Sequence, residues 1–470
     1  MLVYKTKTIQ NESKNYYPLL ECCALGTVVL TGCNSQPKGD LSPQTHNSPT
    51  LVEQQIANLY QSIFNELPQG GLRAASNEKV GNGETYITNF ASGGFMLYNV
   101  DSLGGVILLG LSDNGALSSK DTTNNPILKG IITQAMYAKG ITDGAQKDWG
   151  VWTSDPDHPI DPKPVEPIPT PDWVYPHYET RIMNLHTETP MKPRTLDFGQ
   201  REPFNSYLHK AGENGHDALG CANTALAVLF SHYELPKQIS HKNKIVPIEW
   251  KKLRELNEEA RPYSRDKKWR HLLLKYPNLS YQMTLVGTYL YYDTGRIWSD
   301  GHATAVTNRQ VRKFLERHRF NPKVIDYDIE QLCKYMEEYK RPILAFGKGD
   351  SRMNNWHYWV FDGYFKQQYD RIAFRQDYEG GPWMEDHIVT KNVKHFYVHC
   401  NWGWDGDCNG YFSPRVLKPF APYRKNPKPE DSPESMELRS KLPDEKLDYT
   451  YGGKLYLTYP TDLAGYWIVE

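Results

Sequence analysis

The chain has 470 residues, which is enough for two or three domains, and 39% of them are hydrophobic and 13% aromatic. This composition supports packed cores and excludes a chain that is disordered throughout. The 54 basic and 55 acidic residues leave a formal net charge of −1, so the sequence lacks the basic balance of a nucleic-acid-binding protein.

Residues 1–33 have the features of an export signal. Basic residues precede an apolar run from Cys22 to Gly32, which is too short to span a bilayer. The run ends in LTGC, which resembles the bacterial lipobox and would place a lipid on Cys33. The alternative is an ordinary secretory signal with a chance cysteine. We therefore expect a protein that is secreted or held at the bacterial cell envelope, with a lipid on Cys33 as its contact with the membrane.

A polar tether over residues 34–50 leads into a first folded unit over residues 51–140. This unit opens with LVEQQIANLYQSIF, whose apolar spacing predicts a helix. Three β-type runs separated by glycine turns follow: ETYITNF, GGFMLYNVD and GGVILLGLSDNG. The segment NPILKGIITQAMYAKG returns to helical spacing, so the unit is predicted to be a small α+β domain.

Residues 141–195 are predicted to form a linker. Eight prolines fall among the 21 residues from Pro156 to Pro176, a density that neither a helix nor a central strand tolerates. Such a segment is extended, and exposed extended segments are where proteolytic nicking concentrates. The linker is therefore expected to be a spacer that a protease can cut.

The largest unit covers residues 196–470. Helical patterns come first, in LGCANTALAVLFSHYELP, TNRQVRKFLERHRF and IEQLCKYMEEYK. Strand-like runs follow, in RPILAFG, HYWVFDGYF, HFYVHCNWGW, GYFSP and KLYLTYP. Helices followed by antiparallel strands predict an α+β fold with two lobes and a cleft between them. The mixed-charge run over residues 242–277 is interpreted as solvated helix faces.

Cys221 stands at the start of the first of these helices, directly after Gly220. The backbone N–H groups of a first helical turn are unpaired, and the helix dipole is positive there. Both effects favour a thiolate over a thiol, so the pKa of Cys221 is expected to be lowered and the cysteine to be reactive. Among the remaining cysteines, a Cys400–Cys408 disulfide is one option, but no dense disulfide framework is implied.

His357 is the histidine best placed to serve as a base for this thiol. It begins a strongly apolar strand and lies 136 residues after Cys221, the order and gap typical of papain-like proteases. A lone histidine at a strand start is more often structural, so its neighbours matter. The next strand ends in Asn401, Trp402 and Trp404, which could flank and shield an imidazole.

These motifs together resemble those of the streptopain family, which are papain-like cysteine peptidases of bacteria. GCANTALAVLFSHYELP resembles the nucleophile region of the family, WHYWVFDGY its histidine stretch and NWGWDGDCNGYF its later signature. GQREPFN places Gln200 ahead of a Pro-Phe-Asn step, as in the family. GGFMLYNVD and ILLGLSDNG resemble strands of the family's prodomain, so residues 51–140 are named the prodomain region below.

The resemblance implies a two-lobed papain-like α+β fold over residues 196–470, preceded by an inhibitory prodomain. It implies an endopeptidase made as a zymogen, with proteins or peptides as substrates and its own prodomain as inhibitor. Cys221 and His357 would form a thiolate–imidazolium pair, and Gln200 would contribute to the oxyanion hole. Trp402, with Asn401, would hold the imidazole. Neither a metal nor an organic cofactor is expected, and no nucleic-acid partner.

Four positions depart from the family pattern. Val228 replaces a glutamine of the nucleophile helix, while Asn355, Trp356 and Tyr358 replace small residues around the histidine. These changes leave open a different class of protein, a catalytically inactive binding lipoprotein on a protease fold. Inactive relatives usually lose the nucleophile or the base, however, and both are present in this sequence.

A zinc site is the other alternative. His395, His399, Cys400 and Cys408 offer ligand types within a short span, and the two histidines would share one face of a strand. Their spacing matches no common structural zinc pattern.

Overall fold

The computed structural model describes residues 50–65, 67, 71–80, 84–101, 103–119, 128, 130–132, 135, 176–210, 215–260, 275–299, 303–348, 356–417, 454–457 and 466–469. The predicted signal segment with Cys33, the tether up to residue 49 and the Pro-rich stretch up to residue 175 lie outside these residues. The predicted helix at the end of the prodomain region is described at a few positions only, and these are helical. Within the described residues, no helix has the length and apolar character needed to cross a membrane.

The helices of the described residues begin where the sequence supplies a cap or an apolar stripe. Thr50 and Glu53 form a capping box at the first helix, and Thr307 and Gln310 form another. Their bounds are α1 Leu51–Phe64, α2 Cys221–Tyr233, α3 Trp250–Ala260, α4 Pro277–Thr294, α5 Asn308–Arg317, α6 Ile329–Tyr339 and α7 Pro414–Leu417.

The strands follow the predicted β-type runs and add several that the sequence patterns did not indicate. In the prodomain region they are β1 Ala74–Val80, β2 Thr85–Phe90, β3 Phe95–Val100 and β4 Val106–Ser112. The others are β5 His177–Met191, β6 Gln238–His241, β7 Lys244–Pro247, β8 Trp298–Ser299, β9 Thr304–Ala305, β10 Lys323–Asp326, β11 Ile343–Lys348, β12 Trp356–Gln376, β13 Met384–Asn401, β14 Gly410–Phe412, β15 Lys454–Leu457 and β16 Tyr466–Val469.

One antiparallel sheet runs through both the prodomain region and the part of the chain after residue 176. Its strand order is β1-β2-β3-β4-β14-β13-β12-β11-β15-β10, with β5 paired to β12 beside this path. The two regions join where β4 pairs with β14, with Gly110 opposite Phe412 and Leu111 opposite Tyr411. A Cβ on Gly110 would lie 2.8 Å from the Phe412 ring, so the junction requires glycine.

Strand β5 corrects the predicted linker. The expected spacer extended to residue 195, but residues 177–191 form a strand of 15 residues that pairs with β12 from Met191 opposite Tyr364 to His177 opposite Gln376. The prolines end their dense run at Pro176, and the 15 residues beyond it contain one proline and three threonines, a residue type that favours strands. The prediction of a spacer is therefore wrong for residues 177–191.

The structure also corrects the interpretation of the charged run over residues 242–277 as helix faces throughout. Its first part forms β7, which pairs with β6, and only the part from Trp250 begins helix α3. Isoleucine and valine in KIVP favour a short strand, and its proline is unfavourable inside a helix.

Strand β12 separates two apolar cores. Tyr358 and Val360 point into a core shared with α2, α4 and α5, whereas Trp359 and Phe361 point into a core shared with α6 and the prodomain strands. Helix α2 is buried from Ala222 to Ser231 and packs against β12. Helices packed against a large antiparallel sheet confirm the predicted α+β fold class, and the start of α2 lies beside the start of β12.

Candidate active site

The Gly220–Cys221 pair fixes the start of helix α2. Gly220 has φ of 85°, a left-handed conformation that L-residues with side chains rarely adopt. A Cβ at this position would lie 2.8 Å from the Thr304 carbonyl oxygen, so glycine is required for steric reasons as well. The glycine allows the chain to turn sharply into the helix, and Cys221 becomes the first helical residue.

The Cys221 sulfur lies along the edge of β12. Its Sγ is 4.0 Å from the Trp356 carbonyl oxygen, and the backbone N–H groups of Tyr358 and Ala222 donate to it. This edge of β12 is open because the pairing with β13 ends at Val360, opposite Asn401. Cys221 itself is half-buried.

His357 lies on β12 between Trp356 and Tyr358, whose backbone contacts the Cys221 sulfur, and it is 6% exposed. Its Nε2 is 3.0 Å from the Trp402 carbonyl oxygen. A carbonyl only accepts hydrogen bonds, so Nε2 carries the proton and Nδ1 of the neutral ring keeps its lone pair. The ring of Trp404 covers the imidazole with a centroid separation of 4.9 Å.

Burial controls the protonation of both groups. It raises the pKa of the Cys221 thiol, and the backbone N–H groups of Tyr358, Ala222 and Cys221 offset this rise only in part. Burial also lowers the pKa of His357 to about 4, against the opposite effect of the Trp402 carbonyl. Thiol and imidazole are therefore both neutral near pH 7 in this structure. The expected lowering of the Cys221 pKa was wrong for this state because loss of hydration outweighs the helix start.

Gln200 lies next to the segment that leads into α2. Its backbone carbonyl accepts a hydrogen bond from the Leu219 N–H at 2.9 Å, and the residue is half-buried. The preceding carbonyl, of Gly199, is 3.5 Å from the Thr224 hydroxyl on the first turn of the helix. The stretch that carries Gln200 thus runs along the helix start that carries Cys221.

Trp402 and Asn401 are placed differently from each other. Trp402 is fully buried, its indole Nε1 donates to the Cys408 carbonyl at 2.9 Å, and its own carbonyl holds His357. The Asn401 amide donates to Thr195 Oγ1 at 3.0 Å and to the Leu196 carbonyl at 3.2 Å. This amide therefore bonds to Thr195 and Leu196 of the surrounding scaffold and not to the His357 imidazole.

Three of the four positions that depart from the family pattern are accommodated within the fold, and the fourth, Asn355, lies outside the described residues. Val228 is fully buried in the core around α2, and Trp356 packs edge-on against Phe346 with ring centroids 5.7 Å apart. Tyr358 is buried, and its hydroxyl donates to the Asn308 side chain.

The four residues considered for zinc are not arranged as a metal site. The His395 ring stacks on Tyr369 with centroids 4.9 Å apart, and His399 Nδ1 lies 2.5 Å from the Asp362 carboxylate. Cys400 is buried in the core on the other face of β13. Among the described residues, no group of three histidine, cysteine, aspartate or glutamate side chains is placed to hold a metal ion.

The Cys400–Cys408 disulfide does not form in this structure. Both residues are free thiols, and the Cys408 Sγ lies 3.2 Å from the Ala116 carbonyl of the prodomain region.

Sequence reasoning did not find the groups that hold the thiol and the imidazole, because these are main-chain groups. The backbone of Trp356 and Tyr358 lines the sulfur, and the backbone carbonyl of Trp402 holds His357. Every residue type carries such groups, so no residue pattern marks them. Only the position of Trp402 after a predicted strand gave a signal.

Comparisons with known proteins agree with the motifs. Residues 198–412 match the family model described as the Peptidase C10 family. The chain is similar to a fragment of prointerpain A from Prevotella intermedia, with 14% identity over 81% of this chain and 98% of that chain and a TM-score of 0.41. It is similar to active interpain A, a cysteine protease of the same organism, with 14% identity over 57% of this chain and 93% of that chain and a TM-score of 0.33. The search of curated proteins gives no match.

Proposed function

We propose that this chain, a cysteine-type peptidase whose residues 198–412 match the Peptidase C10 family model, cuts proteins internally with Cys221 as nucleophile and His357 as general base. One observation carries the assignment of the two residues. The Cys221 sulfur lies against the backbone of Trp356 and Tyr358, and His357 is the residue between them. A thiol at a helix start and an imidazole with a fixed tautomer are the two parts that such a reaction needs.

The proposed reaction begins with proton transfer from the Cys221 thiol to Nδ1 of His357. The thiolate attacks the carbonyl carbon of the substrate, and the carbonyl oxygen takes the negative charge. The backbone N–H of Cys221 and the side chain of Gln200 stabilise that oxyanion. The imidazolium then gives its proton to the leaving amine, and His357 takes a proton from the water that releases the acyl group. The Trp402 carbonyl stabilises the imidazolium by accepting a hydrogen bond from the Nε2–H group in every step.

We propose further that the prodomain region keeps the full-length chain inactive. The sheet pairing between β4 and β14 and the partly buried ion pair between Asp101 and Arg371 support a stable association. Neutrality of the Cys221 thiol and of His357 in the full-length chain agrees with a resting state, because the nucleophile is the thiolate.

The experiment compares peptide hydrolysis by a purified 34–470 protein before and after limited proteolysis. We expect little activity before the cut and a large rise after a cut between about residues 140 and 176. The cut should leave β5 on the peptidase side, because this strand pairs along the whole far half of β12. An epoxide or iodoacetamide-type probe that labels Cys221 after the cut separates an enzyme from an inactive binding protein.

Equal hydrolysis by the uncut and the cut protein, without self-cleavage during the assay, would contradict the zymogen proposal. In that case the prodomain region acts as a folding aid or spacer, and the peptidase assignment is unaffected.

For localisation we propose export to the bacterial cell envelope or secretion, with Cys33 as the lipid attachment point. The LTGC sequence after a short apolar run supports this proposal. Cys33→Ser should release the protein into the soluble fraction or leave an unprocessed precursor, as followed by membrane fractionation and mass spectrometry. Unchanged partitioning and processing would point to an ordinary secretory signal.

A further inference from the structure

The peptide units on both sides of Trp402 are held by side-chain amides. The Trp402 N–H donates to Asn409 Oδ1 at 2.8 Å, and the Gly403 N–H donates to Asn401 Oδ1 at 3.1 Å. The carbonyl between these two N–H groups is the one that accepts a hydrogen bond from His357 Nε2–H. Its direction is therefore set by two asparagine side chains rather than by a ladder of strand hydrogen bonds.

Asn409 has one defined orientation. It is 6% exposed, and its Nδ2 donates to Asp197 Oδ1 at 2.9 Å. A carboxylate only accepts, so the amide nitrogen must face Asp197 and the amide oxygen must face the Trp402 N–H. Asp197 is itself fixed by Asn257, whose Nδ2 donates to its second carboxylate oxygen at 3.2 Å and whose Oδ1 accepts from its backbone N–H at 3.2 Å. The hydrogen bonds from Asp197 through Asn409 to the Trp402 N–H therefore allow only one orientation of these buried groups.

We propose that Asn409 is a positioning residue for His357 and acts through the Trp402 carbonyl. The proposal rests on the proposed function, in which His357 is the base. When Asn409 holds the Trp402 N–H, the next carbonyl points at Nε2, which keeps the proton on Nε2 and leaves Nδ1 to serve the thiol. Without the hydrogen bond from the Trp402 N–H to Asn409, the Trp402–Gly403 turn relaxes, and the imidazole loses both its fixed tautomer and its fixed angle.

The test uses the full-length protein activated by limited proteolysis. Asn409→Asp preserves the size of the side chain but places two carboxylates face to face, because Asp197 is its partner. We expect kcat to fall by about tenfold to a hundredfold with little change in KM, the range that a misplaced catalytic group costs. The alkaline limb of kcat/KM should move to lower pH, because a weaker carbonyl acceptor stabilises the imidazolium less.

A double variant gives the rescue. In Asp197→Asn with Asn409→Asp, the new amide nitrogen can donate to the new carboxylate, which still accepts from the Trp402 N–H. The new amide oxygen at 197 still accepts from Asn257. We expect kcat and the alkaline limb to return to within a few-fold of wild type, whereas a role confined to stability predicts no return of the pH profile.

The matched control is Gln367→Glu, which makes the same amide-to-carboxylate change at a fully buried position on β12. Its amide donates to Ser62 and Thr187 and lies outside the Trp402 turn. We expect it to lower stability but to leave the pH profile unchanged. A shift of the alkaline limb in this control equal to that of Asn409→Asp would overturn the proposal.

Imidazole ¹⁵N NMR of the full-length chain separates this proposal from the peptidase assignment. We expect His357 to hold its proton on Nε2 in wild type and to lose that preference in Asn409→Asp, and this readout requires no turnover. A wild-type tautomer in Asn409→Asp, or a folded double variant as inactive as the single one, would overturn the positioning role. If the activated wild type cuts no peptide while the tautomer responds as expected, the proposed function fails and the positioning role stands.

Discussion

The nucleophile and the base of this site are held by different kinds of contact. The helix-side groups around Cys221 come from its immediate neighbours, Gly220 and Ala222, and the remaining contacts are to the backbone of β12. The partner of His357 depends on side chains far apart in the sequence, from Asp197 to Asn409. The helix start that presents the nucleophile is thus set by a local turn, whereas the partner of the base is set by a long-range network. Changes at a distance should therefore disturb the base more than the nucleophile.

The largest effect is expected from removing the nucleophile. Cys221→Ala should reduce kcat of the activated protein by a factor on the order of 10⁶, the size of loss seen when a catalytic nucleophile is removed. The free energy of unfolding should change little, because the side chain is half-buried and packs at a helix start. Peptide hydrolysis and urea unfolding measure the two effects.

Cys333→Ala is the control for this variant. It makes the same change at a cysteine of α6 whose side chain is buried in the core. It should cost some stability and leave hydrolysis close to wild type. A folded Cys221→Ala protein that cuts peptides at the wild-type rate would refute the proposed mechanism.

Gln200→Ala should give the next largest effect, again on the nucleophile's side of the site. Loss of one oxyanion donor costs about 10²–10³ in kcat, whereas KM should change much less. Steady-state kinetics of the activated protein provide the measurement. Gln200→Glu is a useful companion, because a carboxylate of the same length cannot donate and should be at least as damaging. A kcat within a factor of two of wild type in Gln200→Ala would remove this residue from the oxyanion hole.

The nucleophile's side was also the better predicted of the two. A glycine, a cysteine and an apolar helix follow one another in the sequence, and the structure places them in that order at the start of α2. The apolar runs predicted eight of the sixteen strands among the described residues, because alternation and glycine turns are local signals. The sheet junction between β4 and β14 was beyond such reasoning, since it joins segments that are about 300 residues apart.

The pKa of Cys221 could not be predicted for a related reason. The helix start is visible in the sequence and lowers the pKa, but burial depends on the packing of β12 against α2 and raises it. The same holds for β5, whose strand character was hidden by the adjacent prolines and is completed by pairing with a distant strand. Tertiary contacts decided both cases.

The pH dependence of thiol alkylation sharpens the comparison in the uncut protein. Burial raises the pKa of Cys221, so its thiolate fraction in the uncut chain should increase by about tenfold per pH unit between pH 6 and 8. If cutting allows the thiolate–imidazolium pair to form, alkylation of the cut protein should be faster and much flatter over this range. Iodoacetamide labelling, quantified by mass spectrometry on the Cys221 peptide, checks this. Identical pH profiles before and after the cut would show that the ionisation of the nucleophile is independent of the prodomain region.

The smallest expected effect tests whether the prodomain region reaches the base's network. The Ser112 hydroxyl donates to the backbone carbonyl of Asn409 and is fully buried. Ser112→Ala leaves that carbonyl without this donor, so the free energy of unfolding of the uncut protein should fall by about 1–2 kcal/mol. The control is Ser119→Ala, because the Ser119 hydroxyl donates to Glu78 within the prodomain region and is only partly buried.

Urea unfolding of the uncut proteins gives the free energies, and the rate of activation by a fixed amount of protease should be higher for Ser112→Ala than for Ser119→Ala. After the cut and release of the prodomain region, both variants have the same peptidase sequence, so any difference that persists in kcat must come from retained prodomain. Equal stabilities and equal activation rates in the two variants would mean that this contact does not connect the prodomain region to the loop that holds His357.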